Sequence, residues 1–231
     1  MPIGQRIYTA VRRPARELVA GFAGLPPSNI GDCMARSRCM HPALRYYGAP
    51  GGTMLGTAIT VRTAPGDNLF VHAALDLAGP GDVLVVDAGG DLSRAIVGEL
   101  MARRAQLKGL CGMIVDGAMR DVAGLRALGL PIYARGATPA GPYKEGPGEV
   151  NIAIACGGAV VRPGDIVVGD EDGVVIVPQG EAATVLAAAR ALQAREAATM
   201  AALARGELGA DPQRTALLLA KGCEFIDGEE G

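Results

Sequence analysis

Two short β-branched runs, VLVVDAGG (83–90) and GMIVDG (112–117), each carry an aspartate followed by glycine within two residues, and a helix-length segment separates them. That pattern predicts a βαβ unit, in which both strands deliver their C-terminal loops to one edge of a sheet. Ligands in such layouts sit beyond the carboxyl ends of the strands. Glu99 and the Arg120-Asp121 pair are therefore expected at one cleft although twenty positions intervene.

Upstream, residues 15–23 (ARELVAGFA) have helical spacing, and Pro26-Pro27-Ser28-Asn29 ends that helix and offers a cap for a second one over IGDCMAR, giving a helical lead-in over residues 1–40. LGTAITVRT (55–63) alternates as a strand, and FVHAALDLAGPGD reads as a helix stopped by Gly79-Pro80-Gly81. Val122 to Leu128 predicts a short helix and Leu130 to Ala134 a short strand. From Val150 the β-rich runs of VNIAIACGGAVVRPGDIVVGDEDGVVIVP lack helix-length inserts, which predicts antiparallel hairpins. Glu181 to Arg205 has the spacing of a long helix, followed over the remainder of 181–231 by a loosely specified tail. The expectation is an α/β fold in mixed layers, a single domain over residues 1–231.

Composition narrows the class. The chain has 231 residues, 49% hydrophobic and 20% charged, enough to bury a sizeable core. A formal net charge of −2 without a long basic run argues against a nucleic-acid surface. No apolar run approaches the roughly 20 residues a membrane span needs, and the first residues lack the apolar core of a signal peptide, so a cytoplasmic protein is expected. Cys33, Cys39, Cys111, Cys156 and Cys223 are scattered and never in a C-x-x-C spacing, so they are expected to be reduced and mostly buried rather than disulfide-bonded or zinc-bound.

The motif that carries chemistry is an acidic residue, twenty intervening positions, then Arg-Asp: Glu99 and Arg120-Asp121, running from GE through VDGAMRD. With GDVLVVDAGGD, LGLPIYARGATP and GDEDGVVIVP it resembles the class II pyruvate aldolases of the 4-hydroxy-4-methyl-2-oxoglutarate type, which share their fold with the regulator of ribonuclease activity A. The resemblance runs roughly from SNIGDCM to GVVIVP. It implies a β/β/α-layered fold and a divalent-metal-dependent carbon-carbon lyase. Such an enzyme splits a 4-hydroxy-2-oxo acid into pyruvate and a second 2-oxo acid, and decarboxylates oxaloacetate through the same enolate.

It further implies that Asp121 anchors Mg²⁺ or Mn²⁺, mainly through water, and that Arg120 binds the pyruvoyl portion. Backbone amides at the start of the intervening helix, at Gly98, Glu99, Leu100 and Met101, hold the carboxylate; free N–H groups at a helix start suit an anion. Glu99 is assigned with Arg120 to catalysis, where many of these aldolases have Asp. A further acidic metal ligand comes in that family from a neighbouring subunit's C-terminal region, here Glu196 or alternatively Glu207. That points to a homo-oligomer, a trimer or a hexamer. The alternative is a non-catalytic regulator that acts by protein contact.

Other residues carry plainer readings. Asp170, Asp172 and Gly173 lack most of a calcium loop and predict a hairpin turn. His41 and His72 are solitary and read as helix-surface or core residues, Gly89-Gly90 as a tight turn facing the substrate cavity, Cys111 as core, and Arg12-Arg13 and Arg103-Arg104 as solvated charges.

Overall fold

The computed structural model describes residues 3–207, 209 and 212–228. From the N-terminus the elements are β1 (Gln5–Ile7), α1 (Arg16–Ala20), α2 (Pro27–Cys33), β2 (Arg45–Tyr46), β3 (Met54–Thr63) and α3 (Leu69–Leu77). The central set is β4 (Asp82–Asp87), β5 (Ala95–Val97), α4 (Glu99–Leu107), β6 (Gly112–Met119), α5 (Val122–Leu128) and β7 (Ile132–Ala137). Then come β8 (Gly148–Val150), β9 (Ile154–Cys156), β10 (Ala159–Val161), β11 (Ile166–Asp170), β12 (Gly173–Val177), α6 (Ala182–Ala204) and α7 (Pro212–Ala220). Two compact units divide the chain, residues 1–192 and 193–231.

In the first unit, β3, β4, β6 and β7 are parallel neighbours in a sheet of order β1-β8-β3-β4-β6-β7-β2. On the outer side of β3, β11 pairs antiparallel with its beginning and β8 with its end. Successive residues of a strand point to opposite faces, and this sheet is covered on both. Leu84 and Val86 pack with Leu75, Met101 and Ala102 of α3 and α4, whereas Val83 and Val85 pack with Ile154, Val161 and Ile176 on the other face. That is the mixed β/β/α layering, and it explains why β4 reads as an unbroken apolar run. A third cluster joins Phe22 and Ile30 to Val175, Val177, Val185 and Ala189.

The βαβ prediction holds: β4 and β6 pair in parallel with α4 between them. The late hairpins are also present, β9 with β10 and β11 with β12, and Asp170 faces Gly173 across the turn of the second. Other expectations need correction. β5, only three residues long, follows β4 and pairs with the end of β6, continuing the sheet where β4 has stopped. The lead-in is not all helical, because β1 pairs with β8, and Pro26 rather than Ser28 or Asn29 stands at the N-cap of α2. The tail beyond Arg205 contains a nine-residue helix, α7, over the apolar-rich PQRTALLLA.

Only Cys156 is buried among the cysteines, and Cys39 and Cys223 are exposed because they lie in loops. Cys111 precedes β6 and is half-buried against the core. Arg13 is no free solvated charge, since it pairs with the buried Asp82. Among the described residues no helix is long and apolar enough to cross a membrane. In the second unit, Leu217 and Leu219 of α7 and the following Phe225 and Ile226 all present apolar surface to solvent.

Candidate active site

The carboxyl end of β6 delivers Arg120 and Asp121 into the space that β5 and α4 border. Arg120 N–H donates to Val97 O (3.0 Å), tying the end of β6 to the segment before α4. The chain then turns sharply: Asp121 has φ 62° and ψ 39°, a left-handed conformation that a non-glycine residue adopts at a cost. This turn starts α5 and leaves the Asp121 carboxylate at the N-terminus of α4, where Glu99 N–H donates to Asp121 Oδ2 (3.0 Å).

Gly98 makes that approach possible. A Cβ at position 98 would lie 2.5 Å from Asp121 Oδ2 and 3.0 Å from Arg120 Cγ. Its backbone is extended, so the requirement is space rather than conformation.

Arg120 and Asp121 are loosely paired, with Nε and Oδ2 3.7 Å apart and both side chains more than 40% exposed. Among the described residues Asp121 is the only acid within ion-pair distance of Arg120, and Asp121 Oδ1 accepts no hydrogen bond. A cleft of about 150 Å³ opens beside the pair, with Gly98, Leu100 and Met101 on the same wall. A second hollow of about 340 Å³ borders the other side, against Val122, Thr138 and Pro139.

The structure thus brings together Gly98, Leu100, Met101, Arg120 and Asp121. It does not bring the Glu99 carboxylate into the cleft: that group forms an i,i+4 ion pair with Arg103 (2.6 Å) and packs against Gly124. Glu99 reaches the site through its main-chain N–H. Glu196 and Glu207 belong to the second unit, where Glu196 is an exposed residue of α6 and Glu207 pairs with Arg205 (2.7 Å).

The facing wall was not legible as a site in the sequence. It consists of Asn68 and His72, one turn apart on α3, with Pro142 and Lys144 from the loop before β8. Asn68 is 4% exposed; its Nδ2 donates to Ile96 O (2.9 Å), while Oδ1 is buried without a hydrogen-bond partner among the described residues. His72, read as a structural histidine, lines the cleft. Burial lowers its pKa below the usual histidine range, and the Lys144 and Arg104 charges add to that against the opposing pull of Asp76. The only signal in the sequence was Asn68 and His72 at i,i+4 spacing, which also suits an ordinary helix start. Gly89 and Gly90 do form a left-handed turn, but neither lines the cleft.

Among the described residues no three His, Cys, Asp or Glu side chains gather into a metal-binding group. A single carboxylate with one uncommitted oxygen does fit a hard divalent cation that retains most of its waters, as Mg²⁺ commonly does.

The family model described as RraA-like, Aldolase/RraA, matches residues 28–176, which span β3 through β11 and the whole cleft. The chain belongs to this family. Over 109 residues it is 46% identical to a protein of Halalkalibacterium halodurans whose name assigns it provisionally as a 4-hydroxy-4-methyl-2-oxoglutarate aldolase, covering 47% of this chain and 52% of that one. The chain spans about half the length of the curated relatives it matches. Among solved structures it resembles Streptomyces coelicolor RraAS2, described as an unusual member of the RNase ES inhibitor RraA family (TM-score 0.76, 29% identity, 83% of this chain and 99% of that one). It also resembles the RNA-processing inhibitor RraA of Thermus thermophilis (TM-score 0.61, 35% identity, 66% and 92%). This Aldolase/RraA member therefore has kin named for an enzyme and kin named for a regulator.

Proposed function

We propose that this protein is a divalent-metal-dependent lyase that cleaves a 4-hydroxy-2-oxo acid to pyruvate and a second 2-oxo acid, and decarboxylates oxaloacetate through the same enolate. The observation that carries the reading is the loose, exposed Arg120-Asp121 pair at the N-terminus of α4. A guanidinium not committed to a partner is a two-pronged donor for the oxygens of a 2-oxo acid. The first-turn amides of α4 at Leu100 and Met101 suit its carboxylate. When the carbon-carbon bond breaks, negative charge moves onto the C2 oxygen, and a preorganised cation there lowers the barrier.

Asp121 is the residue that would hold Mg²⁺ or Mn²⁺, through Oδ1 and water. The bound ion adds positive charge beside the oxygen where negative charge develops. On the facing wall, the Lys144 ammonium suits a second carboxylate, which favours dicarboxylic substrates such as oxaloacetate. His72, whose pKa is lowered chiefly by burial, adds a hydrogen-bonding group to the same wall.

Assembly as a trimer or a dimer of trimers belongs to the same proposal, supported by the exposed apolar residues of α7 and the segment after it. In that arrangement Glu196 or Glu207 of a neighbouring copy completes the metal site. The relatives named as RraA favour a second reading, a regulator acting by protein contact; retention of Asp121 and of the space Gly98 leaves for it favours the lyase.

The test is pyruvate release from a panel of 4-hydroxy-2-oxo acids and oxaloacetate with added Mg²⁺ or Mn²⁺. Release that stops on chelation and returns with metal supports the lyase. Full release after exhaustive chelation removes the metal from the account, and no release from any substrate leaves the regulator.

A further inference from the structure

The cleft's facing wall comes from two segments far apart in sequence, and one buried carboxylate joins them. Asp67 is 2% exposed and has no cationic partner among the described residues. Its Oδ1 accepts the Leu69 N–H (2.9 Å) at the start of α3, and its Oδ2 accepts the N–H groups of Glu145 (2.6 Å) and Gly146 (3.0 Å). Main-chain bonds continue the seam, from Asn68 N–H to Tyr143 O (3.0 Å) and from Tyr143 N–H to Gly66 O (2.8 Å). On the far side, Arg94 donates to Gly141 O (2.9 Å) and the Tyr143 hydroxyl (2.7 Å) and stacks 3.9 Å from the Tyr143 ring centroid.

A buried carboxylate is costly unless its oxygens are satisfied, and here main-chain N–H groups of two segments satisfy them. Lys144 immediately precedes the two amides that Asp67 holds. Asn68 immediately follows Asp67, with His72 one turn further on. Among the described residues no other side chain bonds both the start of α3 and the loop residues next to Lys144.

We propose that Asp67 is a positioning residue, which sets Lys144 against Asn68 and His72 so that the cleft receives the carboxylate distal to the 2-oxo group. The inference rests on the lyase reading for its substrate and on geometry alone for the clamp. Asp67 touches no reacting atom, so its removal acts through Lys144.

The test compares Asp67→Asn, Lys144→Ala and the double variant on oxaloacetate with Mg²⁺, alongside hydrogen exchange at the Glu145 and Gly146 amides. Asp67→Asn should raise KM on the order of tenfold with kcat within about twofold, the scale of one lost charge-assisted contact. Exchange at both amides should accelerate while the β4 and β6 amides stay protected. In the Lys144→Ala background, Asp67→Asn should add less than about twofold, because residues acting through one group are not additive. Multiplying effects, or a fall in kcat with KM unchanged, would overturn the proposal.

Should Asp67→Asn fail to fold, Asp67→Ser keeps an acceptor for Leu69 and gives up the loop, and the same outcomes apply. If the wild type releases no pyruvate, the lyase reading fails by itself. The exchange arm still decides the clamp, and unchanged exchange at Glu145 and Gly146 would sink it.

Discussion

Two Arg-Asp pairs sit at opposite ends of the sheet's parallel strands, and they differ in how much of their hydrogen-bonding capacity is left for a ligand. At the amino end of β4, Arg13 grips Asp82 with two hydrogen bonds of 2.8 Å, and Asp82 also accepts from the Thr57 hydroxyl (2.9 Å) and Gly79 N–H (3.0 Å). Asp82 is 1% exposed, so each of its oxygens is committed inside the protein. At the carboxyl end of β6, Arg120 and Asp121 stand 3.7 Å apart, both exposed, on a left-handed turn. A saturated pair has nothing left for a ligand, whereas a loose one held in a strained turn has donors and an acceptor to spare. Cavity size does not make this distinction: the hollow beside Arg13 and Asp82, at about 690 Å³, is larger than the cleft beside Arg120 and Asp121.

The comparison predicts opposite failures. Asp82→Ala should be the most damaging change to the fold, since it strands the Arg13 guanidinium, the Thr57 hydroxyl and the Gly79 N–H. With Arg13 partly in solvent the loss is about 3 kcal/mol, a fall in melting temperature of roughly 6–12 °C. Activity per folded molecule should not change, and calorimetry with a titrated active fraction checks both. Arg120→Ala should do the reverse, lowering pyruvate release on the order of a hundredfold or more with melting within about 2 °C. Asp121→Asn should weaken Mg²⁺ or Mn²⁺ affinity before it affects folding.

Gly98→Ala sharpens the geometry of the loose pair. The added methyl has no room between Asp121 Oδ2 and the Arg120 side chain, and overpacking of this kind costs about 1–2 kcal/mol. Expressed at the site, that is roughly a tenfold loss of turnover. Unchanged kinetics would mean that the spacing between α4 and Asp121 is not needed for function.

The smallest effect concerns pH. Folding lowers the His72 pKa, chiefly by burial and then through Lys144 and Arg104, so the unfolded chain takes up this proton more readily than the native one. His72 therefore costs stability as pH falls from its ordinary value near about 6.5 through its lowered one, and nothing above that range. His72→Gln should narrow the drop in melting temperature between pH 7 and pH 5. An identical drop in both proteins would mean that folding does not lower the His72 pKa.

These contrasts follow what the sequence displays. β4 and β6 are legible because apolar runs buried on both faces leave a continuous signal, α4 because a helix-length segment lies between them, and Arg120-Asp121 because a spaced motif marks it. β5 escapes because AIV is too short to show a period. The facing wall escapes because Asn68 and His72 look like any helix start, and the loop that carries Lys144 is joined to them by bonds between residues far apart in sequence. Arg13-Asp82 is equally silent, since a pair separated by 69 positions leaves no local pattern. Glu99 shows the converse: the motif draws attention to its side chain, but the carboxylate pairs with Arg103 and only the main-chain N–H meets Asp121, a contact that no side-chain pattern encodes.

The most direct measurement puts Arg13→Lys and Arg120→Lys side by side, with melting temperature and metal-supplemented pyruvate release read on each. Lysine keeps the charge and loses the two-pronged donor, so it removes geometry alone. Arg13→Lys should lower the melting temperature and leave turnover per folded molecule unchanged, and Arg120→Lys should leave melting unchanged and reduce turnover strongly. If Arg120→Lys instead lowers melting and spares turnover, Arg120-Asp121 is a structural pair and the lyase account is contradicted.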